Sequence, residues 1–359
     1  MGEADRVRLV VLFGGRSAEH EVSCESALQV LKAVDPSRYD VHAIGITRSG
    51  EWVRPSRPVS ELLAGGARAL PSPDECAGDD HVPLPAGLTA GPGHQVVVFP
   101  LLHGPMGEDG TVQGMLELSG VPYVGAGVLA SALCMDKAAS KRMLEAEGLP
   151  VVRWLSARAN EATPAFQEQA ITDLGLPLFV KPANLGSSVG ITKVSDRAAM
   201  AHAVDLALRY DERVVVEEAV VGREIEVAVL GDESPRASVA GEVQPSHDFY
   251  DFEDKYLAAA AGLVIPAPLE SDQHTAVREL AVRAYRALRV DGMARVDFFL
   301  TSDGRFLINE LNTIPGFTPI SMYPKLWEAT GLSYAALIDE LVELAVVRHR
   351  RRSAFSVER

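Results

Sequence analysis

The chain has 359 residues, 47% of them hydrophobic and 23% charged, roughly two and a half times a usual single domain and apolar enough to bury real cores. One small module and wholesale disorder are both excluded. With 34 basic against 49 acidic residues the formal net charge is −15, and an acidic surface repels phosphate backbones and anionic lipid, so neither nucleic acid nor membrane is an expected partner.

An apolar run over 7–12 ends in Gly14-Gly15, and apolar residues at Val22, Ala27, Val30, Leu31 and Val34 then recur at helical spacing, which predicts strand, glycine turn and helix. Further runs at 41–46 and 96–102 predict a small, doubly wound parallel sheet, interrupted by an insertion or long loop at 54–94, rich in Pro, Gly and Ala. One helix is expected over 130–147, stopped by Gly148-Leu149-Pro150, with a boundary near 120–135 and a strand at 151–157. Strands are expected at 178–182, 214–218, 224–230, 237–243, 293–300 and 306–311, and helices near 197–209, 272–288 and 333–347. This pattern reads as antiparallel sheets with helices on one side, and Ser302-Asp303-Gly304 marks a hairpin turn. The basic run at 348–352 reads as a solvated helix end.

Cys24, Cys76 and Cys134 have no C-x-x-C spacing and suggest neither a disulfide framework nor a zinc site. Charges in residues 1–8 and no 18-residue apolar stretch predict a cytoplasmic protein.

Two segments carry chemistry. Lys181 closes a strand that runs into a loop of small residues, Gly186, Ser187, Ser188 and Gly190, whose backbone amides can approach phosphate oxygens without steric bulk. It is not a Walker A loop, because the lysine precedes the glycines. On the late hairpin, strand alternation places Glu310 and Asn312 on one face and the turn brings Asp297 opposite, so three hard oxygen donors converge in a set that suits magnesium. Gly14-Gly15 lacks the G-x-G-x-x-G spacing of a dinucleotide fold, which disfavours an oxidoreductase.

The Lys181 loop, the Glu217-Glu218-Ala219-Val220 segment, and Asp297 with Glu310-Leu311-Asn312 together resemble the ATP-grasp fold. Within it the chain resembles the D-alanine:D-alanine ligases. Four segments carry that likeness: Gly14-Gly15-Arg16-Ser17-Ala18-Glu19-His20, His103-Gly104 with Gly107-Glu108-Asp109-Gly110, Tyr250-Asp251-Phe252-Glu253-Asp254-Lys255-Tyr256, and Asn312-Thr313-Ile314-Pro315-Gly316-Phe317-Thr318. It covers about residues 7–346.

The resemblance implies an N-terminal α/β domain at 1–130, a central ATP-grasp subdomain at 131–221 and a C-terminal one at 222–359. It implies joining of two D-alanines through a D-alanyl phosphate, for peptidoglycan synthesis, with ATP and two Mg²⁺ or Mn²⁺ as cofactors and a homodimer as the assembly. Lys137, Lys181 and Ser188 would meet ATP phosphates, Glu217 with the backbone of Ala219 and Val220 the adenine edge, and Glu224 the ribose. Family members often carry an aromatic residue where Ala219 stands. Asp297, Glu310 and Asn312 would hold the metals, Glu310 bridging. Arg295 and the Gly316 amide would hold the oxyanion. Glu19 would bind the first ammonium in a chain with Ser187 and Tyr256, with His103 near the first substrate. Ser321 and Met322 would take the second carboxylate, and Lys255 would add charge near the phosphate. The Lys255-Tyr256 pair is the dipeptide-forming pattern, against relatives that make D-alanyl-D-lactate.

Overall fold

A computed structural model describes residues 6–55, 57–64, 69–70, 72–76, 88, 95–186, 188–244, 262–318 and 320–356. The first sheet is built from β1 (Val7–Gly14), β2 (Tyr39–Ile46), β3 (Trp52–Val53) and β4 (Val96–Pro100), in the order β3-β2-β1-β4. β1 pairs in parallel with β2 and β4, and only edge strand β3 runs antiparallel. The apolar runs β1 and β4 are buried on both faces, as a covered parallel sheet requires. Helix α1 (His20–Ala33) follows the glycine turn. Gly14, at φ 86°, faces the Ile46 carbonyl so closely that no Cβ fits, so the turn needs glycine for both conformation and space. Helix α2 (Val59–Ala64) and a 3₁₀ turn at Pro73–Cys76 give the described part of 54–94 some structure.

After α3 (Thr111–Leu118) the expected single helix over 130–147 is two, α4 (Val128–Met135) and α5 (Lys137–Ala146). Asp136 breaks it: its backbone is extended, and its side chain accepts the Ala139 amide as an N-cap. The break turns α5, and with it Lys137, into a new direction.

The second sheet comprises β5 (Trp154–Arg158), β6 (Leu178–Pro182), β7 (Thr192–Val194) and β8 (Arg213–Glu218), in the order β5-β8-β6-β7 and antiparallel throughout. Helices α6 (Pro164–Leu174) and α7 (Ala199–Ala207) cover one face, where Leu178, Val180, Val214 and Val216 are buried. By alternation Phe179, Lys181, Val215 and Glu217 share the other face.

The third sheet comprises β9 (Gly222–Gly231), β10 (Arg236–Gln244), β11 (Gly262–Val264), β12 (Gly292–Thr301) and β13 (Phe306–Asn312), in the order β11-β10-β9-β12-β13. Here the expectation of helices on one side is corrected. α8 (Ser271–Ala287) packs on the face carrying Ile225, Val227, Val296 and Phe298, while α9 (Met322–Ala329) and α10 (Tyr334–Ser353) cover Ala228, Leu230 and Met293 on the opposite face. That second core is continuous with α1, β1 and β4, so the first sheet leans on the C-terminal helices. Where α9 and α10 stop, the same face carries Glu224, Glu226, Arg295, Asp297, Glu310 and Asn312.

The arginine run is not a solvated end. Arg348 is buried and donates to the Tyr123 and Gly125 carbonyls, Arg351 pairs with Asp232, and Arg352 pairs with Glu117 at 3.1 Å. Among the described residues no helix is long and apolar enough to cross a membrane.

Candidate active site

Between the polar face of the third sheet, the α4–α5 junction and the glycine turn lies a cleft of about 570 Å³. Glu19, His103, Lys137, Gly186, Arg295, Glu310, Asn312, Gly316, Ser321 and Met322 all line it. Residues separated by 300 positions in sequence are thus brought to one cavity by the three sheets.

Glu19 precedes α1 at its N-terminus and is 6% exposed. The turn is braced by Ser23, whose hydroxyl donates to the Leu101 carbonyl and accepts from the Gly14 amide. His103 is buried, with Nδ1 at 3.2 Å from Glu108 Oε1. Burial disfavours its charged form, but the Glu108 hydrogen bond and the charges of Glu19 and Glu108 outweigh that and hold the imidazole above its ordinary value. Glu108 belonged to a quoted motif but had no role assigned from sequence; its partner explains its place.

At the other end, Lys137 opens α5 and donates from Nζ to the Leu185 carbonyl at 2.8 Å, while standing 3.4 Å from Glu310 Oε2. Lys181 Nζ donates to Glu217 Oε2 at 2.6 Å. Lys141, one helical turn after Lys137, places Nζ 3.2 Å from Glu217 Oε1. Sequence reasoning missed Lys141; its i+4 spacing from Lys137 was the available signal. Burial works against an ionised Glu217, yet the two ammonium groups hold its carboxyl at about 2. Ser188 adopts φ 58° in the turn after β6. The Ala219 amide donates to the Pro177 carbonyl at 3.1 Å, so what Ala219 can offer a base edge is its own carbonyl. Val220 follows the end of β8, and Glu224 shares the cleft-side face of β9 with Glu226.

On the hairpin, Asp297 lies opposite Glu310 and Arg295 opposite Asn312. Arg295 grips Asp297 with two hydrogen bonds of 2.7 Å and stands 3.0 Å from Glu226. Asn312 Oδ1 accepts the Ile314 amide at 3.0 Å, which shapes the turn leading to Gly316. Gly316 is packed so that an added Cβ would lie 2.9 Å from Ser321 Oγ. Ser321 precedes α9, accepts the Thr318 amide at 3.1 Å and meets the Thr318 hydroxyl at 2.8 Å; Met322 begins the helix. Lys325, one turn further on, also lines the cleft and was not anticipated. Among the described residues no group of three or more His, Cys, Asp or Glu could hold a metal; the hairpin offers two carboxylates and an asparagine. The set of Asp297, Glu310 and Asn312 nevertheless fits a hard divalent cation by donor chemistry, with oxygens on facing strand positions. Ser187, Lys255 and Tyr256 lie outside the described residues.

The family models described as D-ala D-ala ligase N-terminus and D-ala D-ala ligase C-terminus match residues 8–126 and 143–343. The chain belongs to the D-Ala–D-Ala ligase family. It is 47% identical to the D-alanine–D-alanine ligase of Bacillus licheniformis over 97% of this chain and 98% of the relative. It is 51% identical to that of Nocardia farcinica over 96% and 98%. Among solved structures it is similar to the D-alanine–D-alanine ligase from Coxiella burnetii, with a TM-score of 0.80, 37% identity and 97% of each chain covered. It is also similar to a D-Ala:D-Ser ligase from Enterococcus faecalis, with a TM-score of 0.83, 34% identity, and 95% and 99% covered. The ATP-grasp fold expected from sequence is that of these ligases.

Proposed function

We propose that the chain is an ATP-dependent ligase that joins two D-alanines into D-alanyl-D-alanine for peptidoglycan synthesis in the cytoplasm. What supports this reading is one cleft lined by Glu19, His103, Lys137, Arg295, Glu310 and Asn312, with the ammonium of Lys137 3.4 Å from the Glu310 carboxylate. A carboxylate is a poor electrophile, and transfer of a phosphoryl group to it creates a leaving group that an amine can displace.

In this reading Lys137, Lys181 and Ser188 bind the phosphates, Lys137 and Lys181 as point charges. Glu217 with Ala219 and Val220 takes the adenine edge, and Glu224 the ribose. Asp297, Glu310 and Asn312 would hold two divalent ions, magnesium or manganese, with Glu310 shared by both. Held by these residues, divalent ions would supply positive charge opposite the charge of the transferring phosphoryl group. Glu19 anchors the first ammonium, and His103 lies beside that substrate. Ser321 and the Met322 amide at the start of α9 receive the second carboxylate, a position where backbone amides and the helix dipole favour an anion. Arg295 and the Gly316 amide stabilise the oxyanion of the amide-forming step, worth about 3 kcal/mol per donor. Ser187 and Tyr256 would complete a hydrogen-bonded chain with Glu19 that pins a loop over the site and excludes water, and Lys255 would add charge near the phosphate. The same reading includes the domain limits 1–130, 131–221 and 222–359, and a homodimer through the N-terminal unit, where Leu118 on α3 is 93% exposed.

The test is an amino-acid screen with ATP and Mg²⁺, following phosphate release and product mass. D-alanine alone should give the dipeptide with one phosphate per bond. Equal or faster turnover with D-lactate or D-serine as second substrate overturns the choice of acceptor, and phosphate release indifferent to D-alanine overturns the ligase reading.

A further inference from the structure

The corner where β6, β8 and α5 meet places two ammonium groups on one carboxylate. The side chains of Lys141, Lys181 and Glu217 are 2%, 11% and 3% exposed, so the group carries an excess positive charge in the interior. One lysine suffices to pair a buried carboxylate, and burial pushes the second, Lys141, below its ordinary value, with the Glu217 charge working against that. In this state Lys181 is the aligned partner, and the Lys141 contact lacks hydrogen-bond alignment. Both ammonium groups hold Glu217 ionised in this state, Lys181 through an aligned hydrogen bond and Lys141 through its charge. The position of Lys141 becomes decisive when Lys181 leaves, because a buried carboxylate stripped of its only counterion is strongly disfavoured.

We infer that Lys141 is a positioning residue, the resident counterion that keeps Glu217 ionised and in place while Lys181 moves from it onto the nucleotide phosphates. The inference rests on the assignment of the nucleotide to this corner. Lys137 and Lys141 then divide the work along one helix face. Lys137 faces Leu185 and Glu310 on the cleft side, whereas Lys141 faces Glu217 behind it. Lys181 is free to exchange partners only because the carboxylate it abandons is already paired.

The experiment measures Mg-ADP affinity by calorimetry and thermal melting without nucleotide, on the full chain and its variants. Lys141→Met should bind Mg-ADP about tenfold more weakly, yet melt at or above the wild-type temperature without nucleotide, since an excess buried charge is gone. Lys141→Arg should retain affinity within about threefold. In a Glu217→Gln background the Lys141→Met change should cause no further loss, because a neutral amide needs no counterion. Unchanged Mg-ADP affinity in Lys141→Met overturns the inference, as does an equal loss in both backgrounds accompanied by a lower melting temperature. Should Lys141→Met not fold, Lys141→Gln takes its place under the same criteria. If Lys181→Met and Glu217→Gln themselves leave Mg-ADP affinity intact, the nucleotide assignment fails; if they weaken it and Lys141→Met does not, only the role of Lys141 fails.

Discussion

The second and third sheets use the same device toward opposite ends. In both, strand alternation sends apolar residues to a helix-covered core and charged residues to the other face. The second sheet presents Lys181 and Glu217 from regular, fully paired strands, backed by Lys141, and its charges are buried. The third presents Glu310, with a side chain 32% exposed, next to turns shaped by Asn312, Thr318 and Ser321. A buried cationic corner on regular strands suits a group that is always the same, the triphosphate. A more open acidic corner built on turns suits groups that must arrive, react and leave.

Breaking each corner should give different failures. The largest effect is expected for Glu310→Gln: losing a bridging metal ligand removes several kcal/mol of transition-state stabilisation, so turnover should fall about a thousandfold. Steady-state rates at saturating ATP and D-alanine check this, and near-normal turnover refutes the metal assignment. Lys181→Met should lower kcat/KM for ATP by about thirtyfold, the loss of a charge-assisted contact, while the KM for D-alanine stays within about twofold; a loss spread equally over both substrates erases the distinction between the corners. Gly14→Ala forces a Cβ against the Ile46 carbonyl at positive φ and should destabilise the fold by about 1–3 kcal/mol, seen as a lower denaturant midpoint. The smallest effect is a pH dependence at His103. Its folded value is raised, so the stability gained by charging it is fully present below the ordinary histidine value of about 6.5 and lost as pH rises through the folded value. The stability gap between wild type and His103→Gln should therefore shrink from acid to alkaline pH, and a constant gap contradicts the Glu108 and Glu19 pairing.

Much of this arrangement is legible from sequence because it depends on alternation and glycine. The placement of Lys181 at the end of β6, and of Glu310 and Asn312 on one face of β13, follows from a period of two. Three features escape that logic for physical reasons. The helix break at Asp136 rests on a cap whose hydrogen bond is invisible in hydropathy. Helices on both faces of the third sheet follow from where α9 and α10 fold back, a long-range contact. The buried Arg348 reads as a charge in sequence, but its guanidinium satisfies two loop carbonyls that only the tertiary fold brings near.

The measurement that reaches furthest into the account uses D-alanine labelled with oxygen-18 in its carboxylate. If the carboxylate attacks ATP in a cleft that excludes water, each turnover should move one labelled oxygen into inorganic phosphate and leave one in the peptide carbonyl. Unlabelled phosphate released alongside dipeptide would contradict it.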